Sequence, residues 1–302
     1  MMVSNQGSFF RVVFQWQWKH SAIYLGAGLL AWLCVDVLEL KAAKLPASPA
    51  AIAGAALGIF ASFRANAAYA RWWEGRGLWG KLVNLSRHFA TQTTTYLVDA
   101  ARKRRVVLRH ALYVHVLRCQ LRDDDAFADD NVQRLLALLA VDDDTIAAWK
   151  TQSSLGHALL DMNLKDIAAE PELDVRKLQA IDQTIAGLLD AQGGAERIKR
   201  TPMPRSYGFF VERMLFIFAL LFPFTIVADI SWAVIPVNLL VCIGFTLISE
   251  TGRVLEDPFT HFWNSLPITN LSTNIERNMR QRLDGKEEIP PAVAVDKIGI
   301  LW

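Results

Sequence analysis

One stretch of this 302-residue chain limits its fold more than any other. It runs from Ala47 to Glu74 and reads ASPAAIAGAALGIFASFRANAAYARWWE. From Ala50 to Phe63 it is Ala, Gly, Ile, Leu and Phe, with Ser62 the one hydroxyl. Pro49 suits the first turn of a helix, where a missing N–H costs little. A helix this poor in side-chain bulk lets neighbouring backbones approach closely, the way membrane helices pack when lipid offers no hydrophobic driving force. The paired Trp72 and Trp73 beside Arg71 suit a membrane–water interface. Ile59 and Phe63 stand out from the small residues at i and i+4, on one face. Two readings follow: a hydrophobic constriction of a pore, or plain helix-packing contacts.

Composition fits a membrane protein with a sizeable water-exposed part: 52% of residues are hydrophobic and the mean hydropathy is +0.21. Thirty-two basic and 30 acidic side chains nearly cancel, leaving no nucleic-acid footprint. Cys34, Cys119 and Cys242 share no metal-like or disulfide-like spacing. Arg11, Lys19 and several Trp precede the first apolar run, so no cleavable signal peptide is expected.

Four segments reach the roughly 20 mostly apolar residues that a bilayer requires. They are Ser21–Leu40, the Ala47–Glu74 stretch, Gly208–Ala228 and Trp232–Ile248. Asp36, Glu39, Glu212, Arg213, Pro223, Pro236 and Asn238 interrupt them, as in bundles that line water. The chain therefore divides into an N-terminal arm (1–20), spans one and two (21–74), a long connection (75–207), spans three and four (208–250) and a C-terminal segment (251–302). Arg71, Arg76, Lys199, Arg200 and Arg205 flank the spans, and Arg102-Lys103-Arg104-Arg105 follows within the connection. The positive-inside rule places both termini and that connection in the cytoplasm, with the spans in the cell inner membrane.

The connection reads as helical, with apolar residues at helical spacing over Val132–Leu139, Ile146–Leu160 and Val175–Leu189. Asp142 to Thr145 opens one helix as an N-cap cluster, and Gly193-Gly194 closes another. Asp123–Asp125 and Asp129-Asp130 read as a solvated loop, with cation binding as the alternative. The six His show no ligand spacing, so no metal is assigned. There is no phosphate loop, nucleophile elbow or catalytic carboxylate pair, and the chain reads as a non-enzyme without a cofactor.

Three pieces of sequence together carry a resemblance. They are Arg71-Trp72-Trp73-Glu74, then Glu196-Arg197-Ile198-Lys199-Arg200-Thr201-Pro202-Met203-Pro204, then Leu255-Glu256-Asp257-Pro258-Phe259. The chain resembles the bestrophin family of ion channels, and within it the bacterial branch. The resemblance implies an all-α polytopic membrane protein: four transmembrane helices per subunit, a large helical cytoplasmic part, and a homopentamer around a central pore. It implies a pore neck at Ala55, Ile59 and Phe63, on successive turns of span two. Ala55 is smaller than the animal members' residue, so the outer ring is expected to be wider or shifted onto Ile52. A second, cytoplasmic aperture is expected at Leu173, Val175, Leu178 or Ile181. The acidic run that clasps Ca²⁺ in animal members is replaced here by Thr260-His261-Phe262-Trp263-Asn264, so Ca²⁺ gating is expected to be absent or weak.

An apolar neck gates by dewetting and does not choose the sign of the ion. The bacterial-branch resemblance implies monovalent cations such as Na⁺; the alternative is a chloride or anion channel. Helical phase turns Arg64 about 100° from Phe63, with Glu74, Glu212 and Glu250 as candidate partners. A non-conducting membrane scaffold and a membrane enzyme remain as readings of another class. The last residues, Pro290 to Trp302, read as an extended tail able to wrap a neighbouring subunit.

Overall fold

The computed structural model describes residues 6–262, 264–283 and 288–294, and the side chains of residues 17–204, 208–262, 264–283 and 288–294. Trp263 and residues 295–302 of the expected tail lie outside this set. Among the described residues ten α-helices follow one another: α1 (Gln6–Trp32), α2 (Ala47–Tyr96), α3 (Ala100–Arg122), α4 (Asp130–Leu138), α5 (Asp143–Lys150), α6 (Leu155–Ala168), α7 (Val175–Arg200), α8 (Arg205–Ile230), α9 (Val234–Leu255) and α10 (Ile268–Arg280). No strand occurs among the described residues. Two units result: residues 3–72 with 202–257, here the apolar unit, and residues 73–201 with 258–302, here the charged unit. Three described stretches are long and apolar enough to cross a membrane: Gln17–Val37, Lys41–Tyr96 and Gly208–Leu255, the last holding both α8 and α9.

Several boundaries differ from expectation. α1 begins at Gln6, so much of the arm is already helix, and it ends in a π-helical turn over Leu33–Val37. α2 does not stop at Glu74 but continues to Tyr96, 50 residues in all. The segment Ile146–Leu160 is two helices, because Thr151-Gln152-Ser153-Ser154 interrupts it. Asp142 caps α5 as expected, its carboxylate accepting from the Thr145 N–H at 2.7 Å. Gly193-Gly194 does not end a helix: α7 runs through both to Arg200. Packing explains the glycine at 194, where a Cβ would sit 2.7 Å from Leu78 Cδ2.

In the apolar unit, α1, α8 and α9 pack mutually around Tyr24, Leu57, Val211, Leu215, Phe218, Ala219 and Cys242. The smooth face of α2 receives aromatic rings, not bare backbone. A Cβ at Gly54 would lie 3.1 Å from the Phe218 ring, and one at Gly58 3.5 Å from Phe245. Pro223 and Asn238 explain each other. Proline has no N–H, so the Ala219 carbonyl one turn earlier in α8 loses its helical donor. Asn238 Nδ2 reaches that carbonyl at 3.4 Å and the Tyr24 carbonyl at 2.8 Å. Buried backbone at membrane depth is thus satisfied from a neighbouring helix.

The charged unit is built on α3, which is flanked by α4, α6 and α10. Its core is not purely apolar. Glu276, fully buried, accepts from His115 Nε2 at 3.0 Å, Arg134 Nη1 at 2.7 Å and Arg280 Nη1 at 3.0 Å. Burial alone would push the Glu276 carboxyl up, but the hydrogen bonds from Arg134 and His115 outweigh it and hold it at about 2. The acidic loop is likewise spent on structure. Asp123 pairs with Lys199 at 2.7 Å, Asp124 with His261 at 3.1 Å, and Asp129 with Arg118. Asp125 and Asp129 also cap the turns that follow them.

Candidate pore-lining surface and the motif junction

The candidate surface is one stripe of α2. Ile52, Ile59 and Phe63 are 72%, 55% and 57% exposed, and Ala55 is exposed between them. On the opposite side Leu57, Ala61 and Ala68 are buried in the protomer. The split follows helical phase: residues 52, 55, 59 and 63 fall within one face, and 57, 61, 64 and 68 on another. Ile59 and Phe63 are about 6 Å apart along the axis. The neighbouring polar residues on the exposed side, Ser62 and Asn66, are neutral. The stripe therefore presents bulk and no charge, and it draws nothing from its own subunit's core.

Arg64 fixes the rotation of this helix. It is buried, with Nε and Nη2 donating to Glu256 Oε1 at 3.0 and 2.9 Å and Nη1 to Ser249 Oγ at 3.3 Å. Glu212 lies 3.7 Å from Nη1. Of the three expected partners only Glu212 is found, as the weaker contact. Glu250 instead pairs with Arg253 at 2.8 Å, and Glu74 with Arg197 at 2.5 Å. The main partner, Glu256, belongs to the Leu255-Glu256-Asp257-Pro258-Phe259 piece that carries part of the resemblance. Here its carboxylate is occupied by a guanidinium.

The three sequence pieces that carry the resemblance meet inside these units. Arg71 Nε donates to the Glu256 carbonyl at 2.6 Å within the apolar unit. Within the charged unit a Cβ on Gly75 would lie 3.0 Å from Pro258, and Arg122 Nε donates to the Phe259 carbonyl at 3.3 Å. Glu74 pairs with Arg197, and Glu196 accepts from Gln192 Nε2 at 2.7 Å. These residues brace helix ends against one another, which accounts for a long motif that contains no catalytic constellation.

The aperture candidates separate clearly. Val175, the first residue of α7, is 79% exposed, whereas Ile181 is fully buried in the protomer's core. Leu173 and Leu178 are half-buried. In the sequence Arg122 is only one more basic residue of the long connection. In the fold it holds Thr269 Oγ1 at 2.5 Å from a buried position, and burial lowers its pKa to about 10. No grouping of three or more His, Cys, Asp or Glu able to hold a metal occurs among the described residues.

Comparison with known proteins places this geometry. The family model described as bacterial/fungal bestrophin protein matches residues 2–281. A voltage-dependent anion channel-forming protein of Mesorhizobium japonicum is 30% identical over 253 residues, 84% of this chain and 79% of that one. A protein of the same description from Ralstonia nicotianae is 31% identical, covering 82% of this chain and 79% of the other. Among solved structures, the bacterial bestrophin homologue of Klebsiella pneumoniae superposes with a TM-score of 0.81 at 25% identity, covering 88% of this chain and 98% of that one. The chain belongs to the bacterial and fungal bestrophin family.

Proposed function

We propose that this protein is a homopentameric channel of the cell inner membrane that passes monovalent ions through a hydrophobic neck formed by Ile59 and Phe63. Ile52 or Ala55 forms the outer ring and Val175 a second, cytoplasmic aperture. The four spans are α1, the first half of α2, α8 and α9, with both termini cytoplasmic. The single observation that carries this reading is the α2 stripe. Large apolar side chains stand exposed in line on a helix whose rotation is fixed by the buried Arg64–Glu256 pair. In water such a stripe would be a liability; around a symmetry axis it makes a ring that water leaves.

The neck has no charge with which to choose a sign. Arg64, the nearest cation, is neutralised by Glu256 and turned away from the stripe. The relatives named as anion channel-forming proteins favour anions, and we place that reading ahead of the cation one. The test is a reversal potential in a planar bilayer under a NaCl gradient. A value near the Cl⁻ equilibrium potential supports the anion reading. A value near that of Na⁺ overturns the sign and keeps the channel. Verified incorporation without current overturns the channel. Ile59→Ala combined with Phe63→Ala should raise conductance or open probability several-fold with the reversal potential unchanged. Unaltered current in that variant puts the neck elsewhere. With the Glu256 carboxylate engaged by Arg64, micromolar Ca²⁺ should leave the currents unchanged.

A further inference from the structure

The apolar unit contains a cavity of about 420 Å³ lined by α1, α8 and α9. Its composition is unlike the rest of that unit, because four charged side chains from two apolar helices face it: Glu212 and Arg213 of α8, Glu250 and Arg253 of α9. A charge within a membrane-spanning stretch is costly and marks a functional site by default. Two of the four are paired with each other, Arg253 Nε donating to Glu250 Oε2 at 2.8 Å. The other two are not spent. Among the described residues Arg213 has no carboxylate partner, and its guanidinium stacks 5.0 Å from the Phe209 ring. Glu212 is 57% exposed at the side chain, and among the described residues its ion-pair contact is the 3.7 Å one to Arg64. One available cation and one available anion thus stand next to each other in sequence, at the same wall.

Apolar side chains line the same cavity: Ile23 of α1 and Phe216 of α8 are exposed, on stretches long and apolar enough to cross a membrane. The Tyr24 hydroxyl, bonded to Thr246 Oγ1 at 2.7 Å, lies in its wall. Exposed apolar side chains beside exposed charges of both signs match a phospholipid at the headgroup boundary. A guanidinium suits a phosphate diester, and a carboxylate suits an ammonium that can donate hydrogen bonds.

We propose that this cavity binds the headgroup of a zwitterionic aminophospholipid, its phosphate on Arg213 and its primary ammonium on Glu212, with the acyl chains leaving past Ile23 and Phe216. The site has a consequence for conduction, which rests on the channel reading above. Glu212 and Ser249, both in the cavity wall, are also contacts of Arg64. A headgroup that draws on Glu212 acts on the residue next to Phe63, so membrane composition biases the neck.

The test is native mass spectrometry of the purified full-length protein with phosphatidylethanolamine, phosphatidylcholine or phosphatidylglycerol added, a readout that needs no current. Phosphatidylethanolamine should be retained at one per subunit and several-fold better than the other two, because choline cannot donate to Glu212 and glycerol carries no cation. Arg213→Gln should lower that retention several-fold, and Arg213→Lys, which keeps a phosphate-binding charge, should restore most of it. Equal retention of the three lipids overturns the proposal. Retention of soluble phosphoethanolamine as strong as that of the lipid assigns the cavity to a free zwitterion and also overturns it. Loss of the oligomer in Arg213→Gln with lipid retention unchanged gives the cavity to a neighbouring subunit and overturns it as well. Flux in phosphatidylethanolamine and phosphatidylcholine vesicles should differ several-fold for the wild type and not for Arg213→Gln. Equal flux with retention as expected removes the coupling to the neck and leaves the binding site.

Discussion

The two units of this chain answer opposite solvents. In the charged unit the only large apolar side chains left exposed among the described residues are Trp73, Val98, Val175, Phe262 and Ile289. In the apolar unit they are numerous: Ile23, Leu29, Leu30, Ile52, Ile59, Phe63, Phe216, Ile217, Leu220 and Leu240 are a selection. Polar groups are distributed the other way. In the apolar unit Arg64, Asn238 and the hydroxyls of Thr225, Thr246 and Ser249 are buried, each with a hydrogen-bond partner. The charged unit gathers His115, Arg134, Arg280 and, nearby, Arg118 around the buried Glu276. The lesson is that exposure means different things in the two halves. In the charged unit an exposed apolar side chain such as Val175 is an exception that asks for a function. In the apolar unit it is ordinary, and only its register on α2 singles out Ile59 and Phe63.

The largest effect that would sharpen this contrast is at Glu276. Glu276→Ala leaves His115, Arg134 and Arg280 facing one another without an anion. Breaking a buried ion cluster by removing one member costs about 3–5 kcal/mol. Thermal unfolding in detergent should show a correspondingly large loss, and limited proteolysis should find new cuts in α3, α4 or α10. A loss under about 1 kcal/mol would mean the cluster is hydrated, and that the charged unit is not organised around it.

Next in size is the response to acid. Burial lowers the His110 pKa from 6.5 to about 3, and it lowers that of His115 as well. The unfolded chain takes up those protons below about pH 6.5, and the folded chain does not until far lower. The stability that the neutral imidazoles carry is therefore complete above about pH 6.5 and lost progressively as pH falls toward 3. Glu276 adds a second loss between about 4.5 and about 2, since its carboxylate is held ionised in the fold. Unfolding temperature measured from pH 8 to pH 5 should fall before any carboxylate titrates. His110→Phe, which keeps the stack on Phe89 at the cost of the Ser86 hydrogen bond, should flatten that slope. An unchanged slope takes the acid response away from His110 and leaves it to His115.

How much of this is legible in the sequence depends on which solvent each element meets. The apolar helices are legible nearly in place because apolar run length is a direct measure of a bilayer. α2 looks as if it ends at Glu74 because Arg71-Trp72-Trp73 resembles a membrane boundary. The helix continues because Trp79, Leu82, Phe89, Ala90 and Thr93 then supply a buried face for the second unit. α10 leaves almost no apolar signal, since its buried face includes Ser272, Thr273, Glu276 and Arg280 beside Ile268, Ile275 and Met279. α3 opens on Arg102 to Arg105, which looks like a topology marker and not like the start of a core's central helix. The partner of Arg64 is hidden for a different reason. Helical phase says which way a side chain points, but only the fold brings Glu256, 192 residues away, to meet it.

The smallest predicted effect bears hardest on the comparison. Ile59 is 55% exposed on its own protomer, so Ile59→Ala opens no buried cavity in the subunit's core. A surface substitution of this kind changes stability by less than about 0.5 kcal/mol. A buried isoleucine truncated in the same way costs about 2–5 kcal/mol, and Ile181→Ala in the charged unit supplies that control. If Ile59 lines a pore, the protein's unfolding temperature should barely move while its current changes. If Ile59→Ala instead costs more than about 1 kcal/mol, its side chain is packed between subunits. The stripe would then be an assembly seam, with Phe63 or Ile52 left to form the neck. The helix-packing reading open from the sequence is thus decided by a stability measurement on the residue whose exposure first argued against it.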